Sequence, residues 1–242
     1  MKSVLIALAV IAFSLNVSAI VIDGVVDPEY GPPIATDQAG DGNGNANMDL
    51  LELYAASDPT YLYVAFTINA DISATDWGKY MVYIDTDNTD NSGATYDAWG
   101  RNVVVVNTMH LPEYTVNCWV DSPPFGIDHF QFVPWDGTQW DWGAAGQPAA
   151  AALTGGSPSV IEWSIPWTQL GSPGGTIYLE VWNTGGGGGD NAQDTINNPA
   201  EDWNASDWST QATLQNSAAY LIPEPGTILA FGLVALAMIR KR

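Results

Sequence analysis

From about residue 50 onward the 242-residue chain repeats one pattern, a short run of β-branched and aromatic residues followed by a cluster of Gly, Pro, Asn or Asp. Runs of this length bounded by turn formers are strand signals. The clearest cover 51–56, 61–69, 79–85, 102–107, 114–120, 129–133, 159–165 and 176–183. Within the second, Leu62, Val64, Phe66 and Ile68 alternate with Tyr61, Tyr63, Ala65 and Thr67. Both faces of that strand are largely apolar, which predicts a central position in its sheet. No long segment carries apolar residues at a 3.6-residue spacing, and the one helical hint is the turn from Pro166 to Leu170 before Gly171. The pattern predicts an all-β fold, a two-sheet β-sandwich of jelly-roll-like layout. Residues 31–47, 143–157 and 185–207 read as long loops, where a sandwich tends to carry its binding groups.

The two ends have a different character. Lys2, an apolar run from Val4 to Val17 and the small-residue site Val17-Ser18-Ala19 form a secretory signal peptide, residues 1–19, with cleavage expected after Ala19 and a signal helix ahead of the fold. At the other end Pro223-Glu224-Pro225 is followed by an apolar stretch and then Arg240-Lys241-Arg242. That stretch is shorter than the ~20 residues a spanning helix prefers, a mismatch that bilayer thinning or snorkelling arginines can absorb. The cationic terminus places the main domain on the far side of the membrane. Residues 223–242, with their Pro-Glu-Pro motif, hydrophobic helix and basic cluster in order, resemble the PEP-CTERM sorting signal of Gram-negative bacteria. The resemblance implies processing by an exosortase, a membrane transpeptidase-like enzyme, near Pro223, Glu224 and Pro225. It also implies a transient hold on the inner membrane, followed by residence at the cell surface or in the extracellular matrix; a plain retained anchor is the alternative.

Between these ends, residues 20–222 hold 26 acidic residues against only Lys79 and Arg101, a net charge of −24. Such a surface repels phosphate backbones, so no nucleic-acid partner is expected. The same charge favours solubility and bound cations, while the abundance of Trp, Tyr, Val and Ile supplies a core and argues against disorder. Cys118 is the single cysteine, which excludes an intrachain disulfide.

The mature segment also has a family likeness. Its opening Ile22-Asp23-Gly24-Val25-Val26-Asp27-Pro28-Glu29-Tyr30, the pair Ala56-Ser57-Asp58 and Tyr61-Leu62-Tyr63-Val64-Ala65-Phe66, the turn Tyr83-Ile84-Asp85-Thr86-Asp87-Asn88 and the strand Glu162-Trp163-Ser164-Ile165-Pro166-Trp167 together resemble family 9-like carbohydrate-binding modules and the related DOMON-like sandwiches. The resemblance implies a β-sandwich, often with bound calcium, that binds sugars in some members. Fold transfers along such a likeness more safely than function.

Two acidic stretches have cation-binding composition. Asp41, Asn43, Asn45 and Asp49 place oxygen side chains at close spacing, and Glu52 falls where a calcium loop of the EF-hand kind closes with a carboxylate. Calcium takes six to eight oxygen ligands and accepts such loops. Pro32 and Pro33 rule out an entering helix, so the loop is not an EF-hand, and the same residues are standard turn formers. The second stretch follows a strong strand, with Asp85, Asp87 and Asp90 crowded into one turn. A structural calcium ion or a hydrated hairpin would relieve that crowding equally well.

Tryptophan is the other surplus, with 11 in the chain. An indole face packs on the C–H face of a sugar ring while neighbouring polar side chains bond its hydroxyls. Trp99, Trp135, Gln139, Trp140, Trp142 and Trp203 lie in or beside loops rich in Asp, Gly and Asn and are the candidate glycan contacts. His110 and His129 are the only histidines, no serine sits in a nucleophile elbow and no zinc-type spacing occurs, so no catalytic role is expected. The sequence thus points to an exported, non-catalytic surface or matrix protein that binds a polysaccharide. The alternatives are an acidic coat or biofilm component without a defined ligand and, behind it, a glycan-active enzyme.

Overall fold

The computed structural model describes residues 20–75, 77–121, 123–196 and 207–223. The signal segment with Ala19, and the tail from Glu224 and Pro225 to the terminus, lie outside the described residues, as does Trp203. Among the described residues, no helix is long and apolar enough to cross a membrane.

The described chain is mostly β, built from antiparallel sheets. The first sheet has the order β1-β2-β3-β9-β8, from Ala35–Thr36, Leu50–Ser57, Tyr61–Ile68, Ser159–Pro166 and Ala150–Thr154. The second has the order β11-β10-β4-β6-β7, from Asp194–Thr195, Thr176–Thr184, Lys79–Asp85, Tyr114–Trp119 and Phe130–Pro134. Strand β13, Ala218–Leu221, pairs with the first half of β10, and β11 pairs with its second half. A short parallel pair, β5 (Val103–Val105) with β12 (Ala212–Leu214), completes the set.

One apolar cluster joins the two sheets. It takes Leu53, Val64, Phe66, Ile161 and Trp163 from the first and Val82, Val116, Phe132 and Val181 from the second. Strand β3 lies at the centre of its sheet, as its two apolar faces require. Leu62, Val64, Phe66 and Ile68 enter the shared cluster, while Tyr63 and Ala65 pack beneath the N-terminal segment with Tyr30, Ile22 and Val26. The outer face of the second sheet is covered as well. Met81, Tyr83 and Trp182 pack against Val103, Val105, Leu111 and Leu214 from the crossing loops and the parallel pair.

Glu162 fastens the N-terminal segment. This fully buried carboxylate accepts the Asp23 and Gly24 amides at 3.1 and 3.0 Å and the Tyr30 hydroxyl at 2.8 Å. Gly24 has φ +81°, and a Cβ there would lie 2.0 Å from Thr154 Oγ1, so only glycine fits the turn. Residues 143–157, read from sequence as a loop, contain β8. Its alanines have weak strand propensity, but β9 offers a free edge, and β8 pairs with that strand alone.

Candidate functional site

Trp99 is held by a buried carboxylate. Asp97, 1% exposed, accepts the Trp99 amide at 2.9 Å and the Arg101 amide at 3.1 Å through Oδ2. The same oxygen pairs with the Arg101 guanidinium at 3.2 Å, and Oδ1 accepts the Tyr83 hydroxyl at 3.2 Å. Arg101 lies 5.9 Å from the centre of the Trp99 ring, within cation–π range. A buried ion pair with this many hydrogen bonds fixes the 97–101 turn and with it the indole.

Trp142 is set in place from the other side. Asp141 Oδ1 accepts the Gly143 and Ala144 amides at 2.9 and 3.2 Å, a side-chain-to-backbone turn that presents the intervening ring. Trp99 meets Trp142 edge-on at 4.7 Å and Trp119 at 5.2 Å. Trp99 and Trp142 remain 45% and 43% exposed. Beside them opens a cleft of about 570 Å³ lined by Trp99, Trp119, Asp128, Phe130, Gln131 and Gln147, with Ala145 and Gly146. Strand register explains the floor. Phe130 and Phe132 point into the core, so Gln131 between them faces outward, opposite Asn117 on β6. Asn117 is 1% exposed, and its Nδ2 has no hydrogen-bond partner in the protein.

The other predicted aromatic contacts are elsewhere. Trp140 is 4% exposed, donates its Nε1–H to the Tyr96 carbonyl at 2.9 Å, and packs with Ala94 and Val133. It also stacks on Tyr83 at 6.2 Å, so it is a core residue. Trp135 is half-buried against Tyr96 and Trp140. Gln139 is exposed in the 136–139 turn closed by Asp136, outside the cleft lining. Trp119, Asp128, Gln131 and Gln147 were not singled out from sequence. Alternation along 114–120 and 129–133 puts Trp119 and Gln131 on one face of their strands, a signal that becomes usable once β6 and β7 are paired.

The acidic residues gather into two groups. In one, carboxylate oxygens of Asp37, Asp41 and Asp194 lie within 4.8 Å of one another. Of the predicted set, Asp41 belongs to this group, and Asp49 stands beside it, its charge reaching both Asp37 and Asp41. Asn43 instead donates to Gln193 Oε1 at 2.7 Å, and Asn45 caps a 3-10 turn by accepting the Asn47 amide at 3.1 Å. Glu52 accepts the Tyr54 hydroxyl at 2.6 Å and lines a different cleft with Val26 and Val160. Asp37 and Asp194 enter through the fold, one after β1 and one on β11. Burial pushes the Asp194 carboxyl up, and the Asp37 and Asp41 charges add to the rise. Burial raises Asp37 and Asp41 likewise.

In the second group Asp85 and Asp87 meet Glu113, while Asp90 is exposed outside it. Here donors are plentiful. Asp85 Oδ1 accepts the Asp87 and Asn88 amides, and its Oδ2 pairs with His110 Nδ1 at 2.8 Å. Glu113 accepts from Thr86 and Ser92, and Asp87 from Thr89 and Ser92. Burial pushes the Glu113 carboxyl up to about 7, helped by the Asp85 and Asp87 charges and opposed by the Thr86 hydrogen bond. No protein family and no curated protein matched the chain.

Proposed function

We propose that this protein is an exported, non-catalytic surface or matrix protein whose two sheets form a β-sandwich that binds a polysaccharide at the Trp99–Trp119 cleft and the adjoining Trp142 ring. One observation carries the reading: two half-exposed indoles, held by buried or turn-forming aspartates, meet edge-on, and one of them, Trp99, lines an open cleft with amides and a carboxylate within it. Exposing two large aromatic rings in a chain this acidic costs hydrophobic free energy that a sugar face would recover. Gln131, Gln147 and Asp128 supply the polar groups that fix a sugar's hydroxyls. The cleft contains one carboxylate, whereas glycosidic hydrolysis in most families needs two across the scissile bond. In the same reading the Pro223-Glu224-Pro225 tail directs exosortase processing after export.

Binding of the exported protein to glycan arrays and to exopolysaccharide from its host tests the reading. Specific retention is expected; its absence on every glycan favours the acidic coat component, and release of reducing ends would favour the enzyme. Mass spectrometry of the mature protein should find the basic terminus at Arg242 removed, and an intact Arg242 would contradict processing.

A further inference from the structure

We propose that the cleft beside the N-terminal segment, on the outer face of the first sheet, binds an organic ammonium ion, a charged amine on an apolar stem; this site is independent of the glycan reading. The cleft holds about 400 Å³, a size that suits a small ligand. Val25, Val26, Tyr54 and Val160 give it apolar and aromatic walls, and among the described residues that line it Glu52 alone is charged. A bulge in β2 puts that charge there. Leu50 pairs with Ile68, so a regular ladder would set Leu51 opposite Thr67, but the register shifts and Glu52 takes the place. Bulges often re-aim a side chain in this way. Thr67 pairs in turn with Val160, so carboxylate, hydroxyl and isopropyl group form one cross-strand row along the cleft.

Two polar groups in that row have unused capacity. Thr67 is 4% exposed, and its Oγ1 is buried with no hydrogen-bond partner. Glu52 accepts the Tyr54 hydroxyl through Oε2 at 2.6 Å, and none of the three ion pairs among the described residues reaches it. A half-buried carboxylate attracts a cation more strongly than one in open water. A bare metal ion would find a single charged ligand here. An ammonium instead brings three hydrogen-bond donors, and it gains from an aromatic ring and from apolar surface along its stem. Glu52 supplies the charge, Thr67 a second acceptor and Tyr54 the ring. The wall formed by the N-terminal segment is already fixed: Glu162 holds the Asp23 and Gly24 amides, and Thr154 Oγ1 donates to the Asp23 carbonyl at 3.1 Å. Little freedom is therefore lost on binding.

The test is an NMR amide-shift titration of isotope-labelled full-length protein with pentylammonium chloride at constant ionic strength, and separately with Nα-acetyl-lysine amide. Saturable shifts are expected at Gly24, Val26, Thr67 and Val160. Tighter binding of the first probe assigns a free amine, and of the second a lysine side chain on a peptide; either supports the site. Glu52→Gln should weaken binding about tenfold or more through loss of a charged hydrogen bond, and Thr67→Val about threefold. Thr67→Val removes an orphan hydroxyl, so it should keep or raise Tm, and it decides the matter if Glu52→Gln fails to fold. Asp87→Asn removes the same charge outside the cleft and should leave binding unchanged. Equal weakening by Asp87→Asn and Glu52→Gln would show diffuse attraction to an acidic surface and overturn the proposal, as would absence of saturable shifts in the wild type. An equal response to pentanol would overturn the assignment to a cation.

Discussion

Trp140 and Trp99 belong to neighbouring aromatic groups, yet one is 4% exposed and the other 45%. Both are tied to Asp97. Tyr83, on which Trp140 stacks, donates its hydroxyl to that carboxylate, and Trp99 is positioned by its other oxygen. Trp140 has its N–H satisfied and its ring surrounded by Ala94, Val133 and Tyr83, the marks of a residue that stabilises. Trp99 has its amide held by Asp97 but its ring uncovered, as the proposed binding role requires. The comparison shows that indole count and local sequence do not separate a buried indole from an exposed one. What separates them is which side of a fixed turn each ring occupies.

Removing the shared support should have the largest effect. Asp97→Ala leaves Arg101 buried without its counter-charge, a loss of about 3–5 kcal/mol, and should lower Tm by roughly 10 °C in a domain of this size while abolishing glycan retention. Trp140→Ala should cost about 3–5 kcal/mol of stability, measured by urea unfolding, and leave retention by the folded fraction intact. If it destroyed binding without destabilising, the division between the groups would fail. Trp99→Ala should do the reverse, with little change in Tm and an affinity loss of about tenfold from one lost aromatic contact.

The smallest effect is on pH dependence. Glu113, whose carbonyl accepts the Trp135 amide at 2.7 Å, has its carboxyl raised from 4.5 to about 7. The folded state then holds a proton that the unfolded chain releases, so this group's contribution is full below pH 4.5 and is lost as pH rises through about 7. Melting curves of Glu113→Gln should show a shallower decline over that range than the wild type. An unchanged slope would mean that Glu113 is not the titrating group.

Much of the strand content was legible because it rests on local alternation. The run at 61–69 became β3, buried on both faces, and 79–85 became β4 without a change of bounds. Strand β8 was not legible, because its alanines gain strand geometry from the edge of β9 rather than from their own propensity. The candidate site was half legible. Trp99 and Trp142 announced themselves beside turn residues, but so did Trp140, whose burial depends on Tyr83 from a distant strand. Likewise Asp41 and Asp49 were visible as a spaced acidic loop, whereas Asp37 and Asp194 join them only through the placement of β1 and β11. Glu52 fitted a linear ligand spacing and was taken elsewhere by strand β2, where Tyr54 holds it.

The central claim, that the exposed indole pair is the binding surface, is tested most directly by retention on the host's own exopolysaccharide. The wild type is compared with the Trp99→Ala/Trp142→Ala double variant, with Tm recorded for both. The account predicts that the wild type is retained and the double variant passes through with a nearly unchanged Tm. Equal retention of the two, or no retention of the wild type, would contradict it.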